Sequence, residues 1–181
     1  MKSNFPINSF SKIETPFYYY DISLLRKTLD ALKAELAGHD NYHVHYAVKA
    51  NANRRLLNII NEYGFGADGV SGGEIEAALG AGFTPDTIVF AGVGKSDKEI
   101  NLALSAELSG FNVESKPELE NITRLAKEPK KVATIPLRKN PNIHPHPTST
   151  ITPVFREPNL GLTTPLHPTA LQKLDHIKNV K

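Results

Sequence analysis

An α/β fold with a parallel sheet is predicted from three observations in the 181-residue sequence. Short apolar stretches alternate with segments of helical periodicity, glycines close those segments, and the unit recurs at roughly 20–25 residues. FYYYD (17–21) reads as a strand entering a helix over 22–37, in which Leu25, Leu29, Leu32 and Leu36 share one side. HVHYAVK (43–49) is the first strand of the repeating unit and leads into RRLLNIINEY (54–63), stopped by Gly64. FGADGVS (65–71) leads into GEIEAALGA (73–81), stopped by Gly82. TIVFAGV (87–93) leads into SDKEINLALSAE (96–107), where Ser96 and Glu99 have the spacing of a capping box. FNVES (111–115) leads into PELENITRLAKE (117–128), with Ser115 or Lys116 near the cap and Pro117 suited to a first turn. KVATIPLR (131–138) is a fifth strand, with Pro136 inside it, where a ladder hydrogen bond would be lost.

Five such beginnings leave a doubly wound sheet and a barrel both open. A closed (β/α)₈ barrel takes about 250 residues, so five to six units fall short of closure. Residues 141–168 break the rhythm, holding seven of the thirteen prolines, and read as a long loop or a poorly ordered segment. ALQKLDHIKN (170–179) returns to helical spacing. The chain therefore divides into an amino-terminal strand and helix (1–41), the βα units (42–140), a proline-rich loop (141–168) and a terminal helix (169–181).

Apolar residues make up 40% of the chain, enough for a core, and the formal net charge is +2. That near balance, with no basic stretch interleaved with aromatics, gives a nucleic-acid role no support. The absence of cysteine excludes disulfides, thiolate zinc sites and cysteine nucleophiles, and is consistent with a cytoplasmic location. No apolar run approaches the ~18 residues of a membrane span. His43 with His45, and His144 with His146, lack a third ligand at a recognisable spacing, so no metal is expected. GVG (92–94) before Lys95 lacks the spacing of a phosphate loop, and Asp97, Lys98 and Glu99 read as a solvated helical turn.

Lys49 attracts the functional reading. Strand alternation puts Tyr42, Val44, Tyr46 and Val48 on a face that packs under helices, and His43, His45, Ala47 and Lys49 on the other. Ligands of parallel α/β proteins collect at the carboxyl ends of strands, where Lys49, Asp68 and Arg138 fall. Gly72, Gly73, Gly92 and Gly94 line the same rim and allow backbone to approach a ligand. An amine in that rim can form a Schiff base with an aldehyde, once desolvation or neighbouring cations ease the loss of its proton. The plainer alternative is a solvated lysine at a strand end.

YAVKAN (46–51), FGADGVSGGE (65–74), IVFAGVGKSDKEI (88–100), FNVESKPEL (111–119) and LRKNPN (137–142) occur in this order. Together they resemble the amino-terminal half of the diaminopimelate decarboxylase family, pyridoxal-phosphate enzymes of the alanine-racemase-like barrel class. The lead FPINSFSKIETPFYYYD (5–21) looks like that family's opening. The resemblance implies a partial pyridoxal-phosphate-binding (β/α)₈ barrel of five to six units, without a carboxyl-terminal β-domain. It also implies Lys49 as the catalytic lysine that holds pyridoxal 5′-phosphate. Ala47, Asp68 and Arg138 match residues beside the cofactor, and Glu74 matches a glutamate close to the site or organising its loop.

In family terms the reaction removes a carboxylate from meso-2,6-diaminopimelate to give L-lysine, in a homodimer when full length. The family's ring-stacking histidine, phosphate loop, pyridine-pairing acid and β-domain have no match here. A truncated or degenerate form with little activity alone is therefore expected. Within the loop, His144, His146 and Pro147 fit the family, whereas Lys139 and the turn at Asn159, Leu160 and Gly161 depart from it. Two alternatives stand beside this reading: a non-catalytic barrel remnant, and a related decarboxylase of ornithine, arginine or carboxynorspermidine.

Overall fold

The computed structural model describes residues 5–127 and 133–135. They fall into two compact units, within Met1–His43 and Val44–Lys181. The amino-terminal unit holds a short helix α1 (Ile7–Phe10) and a longer α2 (Ile22–Glu35). Asp21 caps α2, its carboxylate accepting from the Leu24 N–H at 3.0 Å and the Ser23 hydroxyl at 2.7 Å. The sequence predicts a strand at 17–21, and none forms there. Phe10 instead packs edge-on against Phe17 and Tyr19, while Tyr18 and Tyr20 stack on each other and Tyr18 stays exposed. The segment is held by rings rather than by a ladder partner.

The second unit alternates strands and helices: β1 (His45–Ala47), α3 (Arg54–Glu62), β2 (Gly66–Gly69), α4 (Gly72–Gly80), β3 (Ile88–Phe90), α5 (Asp97–Ala106), β4 (Gly110–Phe111) and α6 (Lys116–Lys127). All neighbouring pairs are parallel, in the order β1-β2-β3-β4. A sheet that adds each new strand on the same side follows the winding of a barrel; a doubly wound sheet reverses direction midway. The Phe111 N–H donates to the Thr134 carbonyl at 2.9 Å, so residues 133–135 lie beside β4, as the fifth predicted strand requires. Pro136 and the remainder of that strand, the 141–168 loop, the 170–179 helix and His144 with His146 lie outside the described residues.

Register assigns the faces. Tyr46 pairs with Ala67 and Ala67 with Ile88; Gly69 pairs with Phe90 and Phe90 with Phe111. Ala67, Ile88 and Phe90 are wholly buried, so this is the face beneath the helices. Leu57 of α3, Ile75 of α4, Ile100 of α5 and Ile122 of α6 fill the layer over it, each almost or wholly buried. Gly64 and Gly82 end α3 and α4 at φ +80 and +92, a conformation that side chains disfavour. Gly69 has no room for a Cβ because the Ile75 side chain occupies its place, which fits α4 closely onto β2. Truncation Ile75→Ala is expected to cost about 2–5 kcal/mol of stability by opening a cavity, read as a lower midpoint in urea unfolding. A loss within the surface range of about 0.5 kcal/mol would contradict this packing.

Candidate functional site

The opposite sheet face carries the predicted site. Ala47 pairs with Asp68 and Asp68 with Val89, so these residues form one row across three strands, each only half-buried. One Asp68 carboxylate oxygen is buried within that row. His45 lies on the same face, against Gly66, with its Nδ1 buried and without a hydrogen-bond partner among the described residues. A small side chain next to a carboxylate makes a shallow shelf.

Lys49 differs from the sequence reading in one respect. The ladder ends at Ala47, and Lys49 sits beyond it in a single 3₁₀ turn over Val48–Ala50, closed by the Asn51 N–H donating to the Val48 carbonyl at 3.1 Å. Val48 is wholly buried and anchors the turn beside β2 and α4. Lys49 is exposed at the rim, so the described residues do not desolvate its amine. Tyr42, expected on the packing face, is exposed, its N–H closing a turn on the His39 carbonyl at 3.0 Å. Arg138 lies outside the described residues.

Glu74 organises its loop. It accepts the Val70 N–H at 3.0 Å, and its own N–H donates to the Ser71 hydroxyl at 3.3 Å. The same Ser-x-x-Glu arrangement recurs at Ser96–Glu99 and Ser115–Glu118, each at the start of a helix. Three successive βα turns thus carry a shared signature, legible in the sequence, of which the capping-box spacing had flagged only one.

Two of these glutamates reach further. Glu99 accepts the Ser96 N–H at 3.0 Å and the Ser96 hydroxyl at 2.6 Å through one oxygen, and the Gly72 N–H at 2.8 Å through the other. It is a half-buried clasp between α4 and α5, and not the solvated residue that its charged surroundings suggest. Asp97 also binds across, to Asn121 at 2.8 Å and Arg124 at 2.7 Å of α6, though this pair is exposed. Those two bonds hold its carboxyl below the ordinary range, Asn121 contributing more than Arg124.

Lys95 forms a further clasp. Its ammonium is buried, lies 5.3 Å from the Phe90 ring centroid and donates to the Gly92 carbonyl at 2.7 Å, the Asn112 carbonyl at 3.0 Å and the Glu118 carboxylate. All three ammonium protons have acceptors. Gly92, at φ +88, packs against the Val70 side chain, and a Cβ at Gly72 would press on Glu99. These two glycines therefore serve loop packing, whereas a Cβ at Gly73 or Gly94 would meet nothing among the described residues, leaving space of the kind a ligand could use.

A parallel sheet of barrel winding, with a lysine at the strand-end rim and a small residue paired to an aspartate, defines a class. The chain belongs to the pyridoxal-dependent decarboxylase, pyridoxal binding domain family, whose model matches residues 22–180. Over its full 181 residues it is 50% identical to the diaminopimelate decarboxylase of Bacteroides thetaiotaomicron, covering 47% of that protein, its amino-terminal part. It is 41% identical to the Aquifex aeolicus diaminopimelate decarboxylase over 135 residues, 74% of this chain and 31% of that one. The crystal structure of diaminopimelate decarboxylase from Helicobacter pylori complexed with L-lysine superposes with a TM-score of 0.87 at 34% identity, over 97% of this chain and 44% of that one. The arginine decarboxylase of Paramecium bursaria Chlorella virus shares the fold, with a TM-score of 0.60 at 20% identity over 83% of this chain and 38% of that one. The chain spans less than half the length of these relatives. Among the described residues, no helix is long and apolar enough to cross a membrane.

Two predictions follow from the clasps. Lys95→Met leaves the Glu118 charge, only 10% exposed, without its cation, and is expected to cost about 3–5 kcal/mol. The double variant K95M/E118Q should lose clearly less in urea unfolding, because neither member of the pair is left charged without its partner. A K95M loss below about 1 kcal/mol, the range of exposed pairs, would contradict this account. The Glu99 carboxyl is lowered from 4.5 to about 2, first by the Ser96 hydroxyl, then by the Gly72 and Ser96 N–H groups. A depressed folded-state value contributes stability above the unfolded value, lost as pH falls through the folded one. The stability difference between the natural chain and Glu99→Gln should therefore be constant above pH 4.5 and shrink towards pH 2. A difference that does not change over that window would refute the clasp.

Proposed function

We propose that this chain supplies the lysine-bearing part of a pyridoxal-phosphate-dependent decarboxylase acting on meso-2,6-diaminopimelate. The observation that carries the reading is the row formed by Ala47 and Asp68, with Lys49 two residues past Ala47 on the same rim. The residues present fit the cofactor at its reactive end: an accessible primary amine, a shelf kept flat by a methyl side chain, and a half-buried carboxylate. Gly73 and Gly94 leave space along the same edge. Lys49, Ala47 and Asp68, together with Arg138, are the residues that would hold it.

Pyridoxal phosphate, when bound, supplies an aldehyde for amines to condense with and a conjugated ring that takes up the electron pair released as carbon dioxide leaves. The protein's own work is positioning and proton handling. Lys49 Nζ attacks a carbonyl as the neutral amine, and its exposure at the rim leaves it open to an incoming aldehyde. The turn beneath it is anchored by buried Val48, so the amine stands on a fixed base. Asp68 presents its carboxyl group where water is partly excluded, suited to orienting a cationic group. Lys95, locked by three acceptors, stays out of the chemistry although it is also a lysine near the rim.

The greater likeness to diaminopimelate decarboxylases than to the arginine enzyme favours the diaminopimelate substrate. The Helicobacter pylori relative, whose structure contains L-lysine, is bound to the product such a reaction would release. Incubation with pyridoxal phosphate followed by borohydride should modify Lys49 selectively, leave Lys95 unmodified and fall to background in Lys49→Ala, as read by peptide mass mapping. Modification spread evenly over surface lysines, or unchanged in K49A, would exclude the reading.

A further inference from the structure

Resting on that reading of the site, we propose that Glu99, 31 positions along the chain from Asp68, is a positioning residue that sets the rim beside Asp68 by clasping the Gly72 N–H. A simple capping box engages its glutamate with the start of its own helix alone. Glu99 does this with one oxygen and spends the other on a different helix, the buried Gly72 at the start of α4.

The clasp closes a short, heavily determined path from the site. After Asp68, the Gly69 carbonyl accepts the Ala91 N–H at 2.8 Å, the Val70 N–H goes to Glu74 at 3.0 Å, and the Gly72 N–H goes to Glu99 at 2.8 Å. Gly92, pulled in by Lys95, packs on the Val70 side chain. Without Glu99, the Gly72 N–H would be buried unpaired, and the 69–73 segment would relax away from that arrangement to find water. Gly73, the exposed residue with open space around it, is the next link and would move with it. The backbone that borders the shelf therefore depends on a carboxylate from the following βα unit.

Three forms of the 181-residue chain separate positioning from general stability. Glu99→Ala removes both the cap and the clasp. Ser96→Ala weakens the α5 cap while leaving the Glu99–Gly72 bond in place. Binding of pyridoxal phosphate is titrated by absorbance at a temperature where circular dichroism finds all forms folded, and amide exchange is followed across 69–73. E99A is expected to bind roughly tenfold more weakly, in keeping with loss of one charge-assisted hydrogen bond, and to exchange faster at Val70–Gly73, with S96A like the natural chain in both. Equal affinity in E99A, or equal weakening in S96A, overturns the proposal. If E99A does not melt cooperatively, E99M, which fills similar space without an oxygen to accept the Gly72 N–H, replaces it and is read the same way. Should the natural chain bind no cofactor, the site reading itself fails. The clasp then stands if exchange quickens in E99A alone, and falls if it does not.

Discussion

The first N–H groups of a helix have no partner within it, and in a βα barrel these orphan donors gather along the rim where ligands bind. This chain answers them with serine hydroxyls, and adds carboxylates for the N–H groups just before the helix and, at Gly72, within it. Glu74, Glu99 and Glu118 each close a Ser-x-x-Glu turn, and each accepts backbone N–H groups at or just before its own helix. The interaction has a second use at Glu99 and Glu118. Their remaining capacity takes in a neighbouring unit, Gly72 in one case and the Lys95 ammonium in the other. The rim is thereby cross-braced from β2 to α6 by groups that the helices needed in any case.

This bracing explains how a sheet of such short strands would present the proposed site. The strands are two to four residues long, so their ladders alone fix little beyond register. Register is what the site needs from them, since it sets Ala47 against Asp68. The loops that follow must then be held by other means, and buried Val48 under Lys49, the clasps on Val70 and Gly72, and the Lys95 staple do so. Burial and hydrogen bonding divide the work: the helix-covered face supplies cohesion, and the rim supplies direction.

Much of this was legible in residue order. Helical leucine spacing, glycine stops and the capping box at Ser96 gave element types that the structure keeps, with boundaries shifted by a residue or two. The strand ends were overextended because periodicity cannot tell where a ladder loses its partner; Lys49 consequently lies in a turn and not on β1. FYYYD has strand-like composition yet forms none, since composition does not provide a neighbouring strand. Lys95 and Glu118 escaped notice because their partnership joins a loop to the first turn of a helix 23 positions on, and a charged residue in a Gly-rich loop looks solvated in sequence. Glu99 was visible as a cap, but its second oxygen could find Gly72 only after the helices had been stacked side by side. The fold was recoverable from local pattern; the bracing depends on tertiary contact.

In the proposed site, Ala47, Lys49 and Asp68 border one ligand surface on a braced rim. The most direct measurement of this arrangement is a heteronuclear NMR titration of the chain with pyridoxal phosphate, following every backbone amide. Shifts concentrated at Ala47, Lys49, Asp68 and the 69–73 segment, with the helix-covered residues Ile75 and Ile122 unmoved, are the predicted result. Shifts scattered over exposed lysines far from that row, or none at saturating ligand, would contradict it.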